Sequence, residues 1–119
     1  MVAPDYYVFT GRDGEVVPDH ITHLRIAKSL NYVPARACRC HPNIQVVECH
    51  EGVKIIEEEA FDKCPVTRVI MPGVKVVEMR AFNQCPLTYI ECGKLERVEA
   101  WGFVTAAIWR TWTCHLSKS

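Results

Sequence analysis

The sequence predicts a short β-rich solenoid, with parallel strands on one face, 3₁₀ turns or brief strands on the return face, and little helix. Three observations carry this. First, residues 52–64, GVKIIEEEAFDKC, superpose on residues 73–85, GVKVVEMRAFNQC, keeping Val, Lys, Glu, Ala, Phe and Cys in place. Second, an apolar-x-x-apolar-x-apolar ladder recurs four times: Ile21, Leu24, Ile26; Ile44, Val47, Cys49; Val66, Val69, Met71; Leu87, Ile90, Cys92. Its last two positions alternate with an outward one, as on a half-buried strand. Third, Pro34, Pro42, Pro65, Pro72 and Pro86, with Gly52, Gly73 and Gly93, mark corners at the same period. A unit of this length holds one strand, one return segment and two corners, and no unit buries its own apolar face without a neighbour.

Taken in chain order, residues 1–20 form an N-terminal capping segment, in which Tyr6, Tyr7, Val8 and Phe9 read as an edge strand ahead of the turn GRDG. Residues 21–103 form the solenoid. Its first unit is divergent: Leu30, Val33, Ala37, Cys38 and His41 fall under Val53, Ile56, Ala60, Phe61 and Cys64. Two clear units follow. In the last, KLERVEAWGF at 94–103, Leu95, Val98 and Phe103 fall under Val74, Val77 and Phe82. Return segments such as residues 57–64 are too short for an average helix and are expected to hold a 3₁₀ turn or a brief strand. Phe61, Phe82 and Phe103 are expected to stack at about the 4.8 Å strand spacing. Residues 104–119, with Ile108, Trp109 and Trp112, abandon the pattern and form an irregular tail or cap.

The 119 residues suit a single domain, and 49% hydrophobic with 24% charged residues is ordinary globular usage. Fourteen basic against fourteen acidic side chains leave no net field to draw nucleic acid or an anionic membrane. No stretch approaches the roughly 18 apolar residues of a membrane span, and the first ten residues lack an export-signal pattern. A cytoplasmic protein is expected. Seven cysteines leave at least one unpaired in a monomer, and reduced thiols are expected throughout.

The units GVKIIEEEAFDKCPVTRVIMP and GVKVVEMRAFNQCPLTYIEC resemble the BspA-like leucine-rich repeat family, most specifically in Ala-Phe-x-x-Cys at 60–64 and 81–85. The resemblance covers about residues 21–103. Cys38 stands for the Phe and His41 for the Cys in the first unit, and the last has Gly102 for the Ala and no Cys. It implies an α/β-type leucine-rich-repeat solenoid of about four units, used for binding and without catalytic residues.

The expected functional surface is the outer face of the strand ladder. Between the last two apolar positions lie Arg25, Glu48, Ile70 and Glu91, and before the middle one lie His23, Val46, Arg68 and Tyr89. This mixture of charge, aliphatic area and an aromatic suits a protein or peptide partner. The competing reading is a structural element that self-assembles weakly through an uncapped C-terminal coil, its strand edge open to a second molecule.

Cys38, Cys40, His41, Cys49 and His50 form the densest set of zinc-type ligands. Their spacing is irregular, and the ladder turns Cys38 and Cys49 inward, where a free Cys acts as a small hydrophobe. No metal or cofactor is expected. Cys64 and Cys85 share one position of adjacent coils, within conceivable reach of a disulfide, but stacked reduced thiols are the expectation. Neither Cys40–His41 nor Cys114–His115 has a legible orienting group or oxyanion site, so no enzyme is expected. The Glu57–Glu59 run reads as a solvated face.

Overall fold

The computed structural model describes residues 5–100. Its strands form two parallel sheets. The larger runs in the order β1 (Tyr6–Phe9), β2 (His23–Ile26), β4 (Val46–Glu48), β6 (Arg68–Ile70), β8 (Tyr89–Glu91). The smaller contains β3 (Tyr32–Val33), β5 (Ile55–Ile56), β7 (Val76–Val77) and β9 (Arg97–Val98). Each coil therefore contributes one strand to each sheet, and every pairing is parallel. No helix occurs among the described residues, so none there is long and apolar enough to cross a membrane.

Register follows the repeat. Leu24 pairs with Val47, Val47 with Val69 and Val69 with Ile90, so side chains one coil apart in sequence are neighbours in space. All twelve residues of the apolar ladder are buried. The divergent first unit keeps this register, with Val33 beside Ile56, and Val33 is fully buried. Burial at one face only is what holds such a register, because a slip of one residue would turn the whole set toward solvent.

The brief strands fall earlier in the unit than expected. They occupy the apolar pairs Ile55–Ile56 and Val76–Val77, whereas residues 57–64 and 78–85 wind as turns with no 3₁₀ segment. These turns use the left-handed backbone twice per coil, at Arg36 and Cys40, at Glu59 and Lys63, and at Arg80 and Gln84. Successive N–H groups in these turns point in opposite senses. The amides of Glu59, Phe61 and Lys63 reach the carbonyls of Met79, Ala81 and Asn83 in the next coil. Those of Ala60, Asp62 and Cys64 close turns onto Glu57, Glu59 and Phe61. Each left-handed residue costs about 1–2 kcal/mol, and the inter-coil hydrogen bonds it permits satisfy backbone groups that would otherwise be orphaned. None of the six is glycine, which is why the sequence does not announce them.

Gly73 is required for a different reason. A Cβ there would collide with the Glu51 carbonyl of the previous coil, so the backbones approach too closely for any side chain.

The Glu57–Glu59 run is not a solvated face. Glu57 accepts a hydrogen bond from the Ala35 amide, and Glu58 and Glu59 both pair with Arg36. These carboxylates hold the turn of the coil before. A polar row also crosses the return side, where the buried Asp62 receives Arg39 Nε at 3.4 Å and Asn83 Nδ2 at 3.0 Å.

At the centre of the core, Phe61 and Phe82 stack with ring centroids 5.3 Å apart and planes 10° from parallel, and both are fully buried. Phe103, the third expected member, lies outside the described residues, as does the tail on which C-terminal capping or assembly would turn. Replacing Phe82 with Ala is expected to cost about 3–5 kcal/mol, because the ring is fully buried and its removal leaves a cavity against Phe61. Urea unfolding followed by circular dichroism checks this, and a loss below 1 kcal/mol would show that the stack is not part of the core.

Candidate functional site

The outer face of the larger sheet is built by alternation: Tyr7, Leu24, Val47, Val69 and Ile90 point inward, and the residues on either side of each point out. Two rows result. One runs Tyr6, His23, Val46, Arg68, Tyr89, and the other Val8, Arg25, Glu48, Ile70, Glu91. All eight residues expected on this face are therefore brought together in two registered lines. Tyr6 and Val8 extend both lines by one strand, and sequence reasoning missed them. The alternation of Tyr6 and Val8 with Tyr7 and Phe9 is the signal that places them there.

The face is half-apolar and largely self-neutralised. Arg25 Nε donates to Glu48 Oε1 at 3.2 Å, and its guanidinium lies 4.9 Å from the Tyr6 ring centroid. Arg68 lies 4.5 Å from the Tyr89 centroid, and the Tyr89 hydroxyl donates to Glu91 at 3.3 Å. An exposed ion pair of this kind contributes only about 0–1 kcal/mol. Its effect is to orient side chains more than to stabilise the coil. Val46 and Ile70 sit half-buried between the charged groups. At one end of the face Arg25, Lys28, Glu48 and His50 line a depression of about 240 Å³. Small-molecule pockets generally span about 300–1,000 Å³, so the depression favours one side chain of a partner over a whole ligand.

The cysteine and histidine set separates in space according to its coil positions. Cys38, Cys49, Cys64 and Cys85 carry buried thiols, and Cys40 an exposed one. Burial pushes the thiols of Cys49, Cys64 and Cys85 up to about 12, and that of Cys38 higher still. They remain protonated, and two of them donate. Cys64 Sγ donates to the Cys38 carbonyl at 2.8 Å, and Cys85 Sγ to the Phe61 carbonyl at 3.0 Å, one coil back in each case. In the first coil His41 takes over this position. Its Nε2 bonds the Pro18 carbonyl at 2.9 Å while Nδ1 accepts from the Asn43 and Ile44 amides. The acceptor role of Nδ1 assigns the proton to Nε2. His50 bridges likewise to the Ala27 carbonyl, with Nδ1 accepting from Gly52. No group of three or more metal-ligating side chains occurs among the described residues. Cys92 is disulfide-bonded, so the expectation of reduced thiols fails at that position.

The front of the array depends on a residue the sequence did not single out. Glu15 accepts hydrogen bonds from the Tyr7 hydroxyl at 2.6 Å, from the Thr10 amide and hydroxyl, and from the amides of Gly11 and Arg12. Gly11 and Gly14 supply the left-handed backbone that wraps the loop around it. Burial opposes the charge, but the hydrogen bonds from Tyr7, Thr10 and Gly11 outweigh it and hold the carboxyl below its ordinary value. The same bond, followed by burial, raises the Tyr7 phenol.

Two outcomes follow from these environments. Because the folded pKa of Glu15 is depressed, its contribution is present above the ordinary glutamate value and is lost as pH falls through the lower folded one. Glu15→Gln is therefore expected to lower the melting temperature at neutral pH and to flatten its decline on acidification. Equal acid slopes in both proteins would refute the cap. For the thiols, native alkylation with iodoacetamide followed by peptide mass mapping is expected to modify Cys40 and to spare Cys38, Cys49, Cys64 and Cys85 until denaturant is added.

Among families of known proteins, the model for the BspA type leucine rich repeat region (6 copies) matches residues 19–106. No curated protein and no solved structure matches the chain.

Proposed function

Since the chain belongs to the BspA-type leucine-rich repeat family, we propose that it is a non-catalytic protein-interaction module that binds a protein or peptide through the outer face of its larger sheet. Repeats of this family generally mediate protein interaction and are typically not enzymes. The observation that carries the reading is the two registered rows, which set Tyr6, Arg68 and Tyr89 beside half-buried Val46 and Ile70. Tyrosine supplies large contact area at low conformational cost, and tyrosine and arginine are both enriched at interface hot spots. The smaller sheet presents a single outward row, Tyr32, Ile55, Val76 and Arg97, flanked by Lys54 and Lys75, against two registered rows on the larger sheet.

The test is comparative capture from extracts of the source cell. Arg68→Ala combined with Tyr89→Ala is expected to weaken capture of specific partners about tenfold or more, with little change in melting temperature, because Arg68 is exposed and Tyr89 half-exposed. The paired control Arg36→Ala with Lys54→Ala, on the other side of the coil, is expected to retain them. Capture lost by the control and kept by the strand-face variant would place binding elsewhere.

A further inference from the structure

The strand face carries two arginine–tyrosine pairs that differ in one respect. Arg25, laid over Tyr6, also has a carboxylate: Glu48 meets its Nε at 3.2 Å. Arg68, laid over Tyr89, has none, and the ion pairs among the described residues do not include it. Of the two acidic row positions diagonal to it, Glu48 is engaged by Arg25 and Glu91 by the Tyr89 hydroxyl. Arg68 thus presents a planar fork whose orientation is set by the ring beneath it and whose N–H edge meets no carboxylate of the chain. In register beside it stands Val46, and Ile70 follows two residues on along the same strand.

We propose that Arg68 is the seat for an acidic side chain of an extended partner segment, with the aliphatic neighbours of that side chain packing on Val46 and Ile70. This rests on the strand-face reading above. The partner's carboxylate completes at Arg68 what Glu48 supplies to Arg25. Stacking on Tyr89 holds the guanidinium in advance of binding, so less side-chain freedom is lost when the two N–H···O bonds form. A single carboxylate fits better than a phosphate or a polyanion, because Glu48 and Glu91, on either side of Ile70 in the neighbouring row, repel additional negative charge. The half-buried aliphatics ask for apolar area on either side of the acid, which a free anion lacks.

The test is a titration of the isotopically labelled full chain, followed by amide chemical shifts, with the capped peptide acetyl-Gly-Val-Glu-Val-Gly-amide. Its glutamine counterpart is titrated in parallel. With the glutamate peptide, saturable shifts are expected at Val46, Arg68, Ile70 and Tyr89. Replacing the peptide's glutamate by glutamine, or using Arg68→Gln, is expected to weaken binding roughly threefold to tenfold, as for loss of a charge-assisted hydrogen bond. Arg68→Lys is expected to weaken it as well, because an ammonium has no fork. Glutamate and glutamine peptides bound equally well at these residues would overturn the acidic preference and leave the strand-face reading standing. Shifts confined to the Lys54 and Lys75 side would overturn both. Absence of any saturable shift would overturn the proposed seat for Arg68 alone.

Discussion

The structure depends on coil-to-coil hydrogen bonding in strict register. Parallel pairing places each residue beside its counterpart one repeat away, so a favourable side chain is reinforced by an identical or complementary one and an unfavourable one is repeated. The buried line Leu24, Val47, Val69, Ile90 and the stack of Phe61 on Phe82 are two consequences. The polar row Arg39, Asp62, Asn83 is a third, since a buried carboxylate persists here only because equivalent positions in flanking coils supply its donors. The close approach at Gly73 belongs to the same constraint, because backbones at strand spacing leave no room for a Cβ at that corner.

A solenoid of this width must also satisfy backbone groups at each tight corner, and the chain does so with whatever donor suits the coil. Cys64 and Cys85 use a thiol kept protonated by burial, whereas His41 uses an imidazole at the same position. The histidine does more, because its second nitrogen also accepts two amides. The substitution that makes the first unit look degenerate in sequence therefore preserves the corner in structure. Cys64, Cys85, His41 and His50 each bond a carbonyl of the preceding coil, and the two histidines also accept from amides two or three residues on.

The inner and outer surfaces of the larger sheet obey different rules. Inside, volume decides, and across its three lines the ladder tolerates Val, Ile, Leu, Met and Cys. Outside, charge and stacking decide, and neighbouring coils neutralise each other through Arg25 with Glu48 while leaving Arg68 supported only by Tyr89. That asymmetry leaves Arg68 oriented but without a carboxylate in a chain of zero formal net charge.

The period, the inward ladder, the burial of Cys38 and Cys49 and the membership of the outer rows were all legible in the amino-acid order, because alternation along a strand and recurrence along a solenoid are one-dimensional patterns. Hidden there were the left-handed residues at Glu59 and Lys63, since neither is a glycine, and the collar of donors around Glu15, since its partners are set by how a loop folds back. The structural use of Glu57, Glu58 and Glu59 was hidden too, as their partners lie a coil away. A linear chain encodes which residues share a face. Only the folded coil decides which of them meet, because hydrogen bonds and ion pairs form over distances of a few ångströms between atoms that sequence separation does not measure.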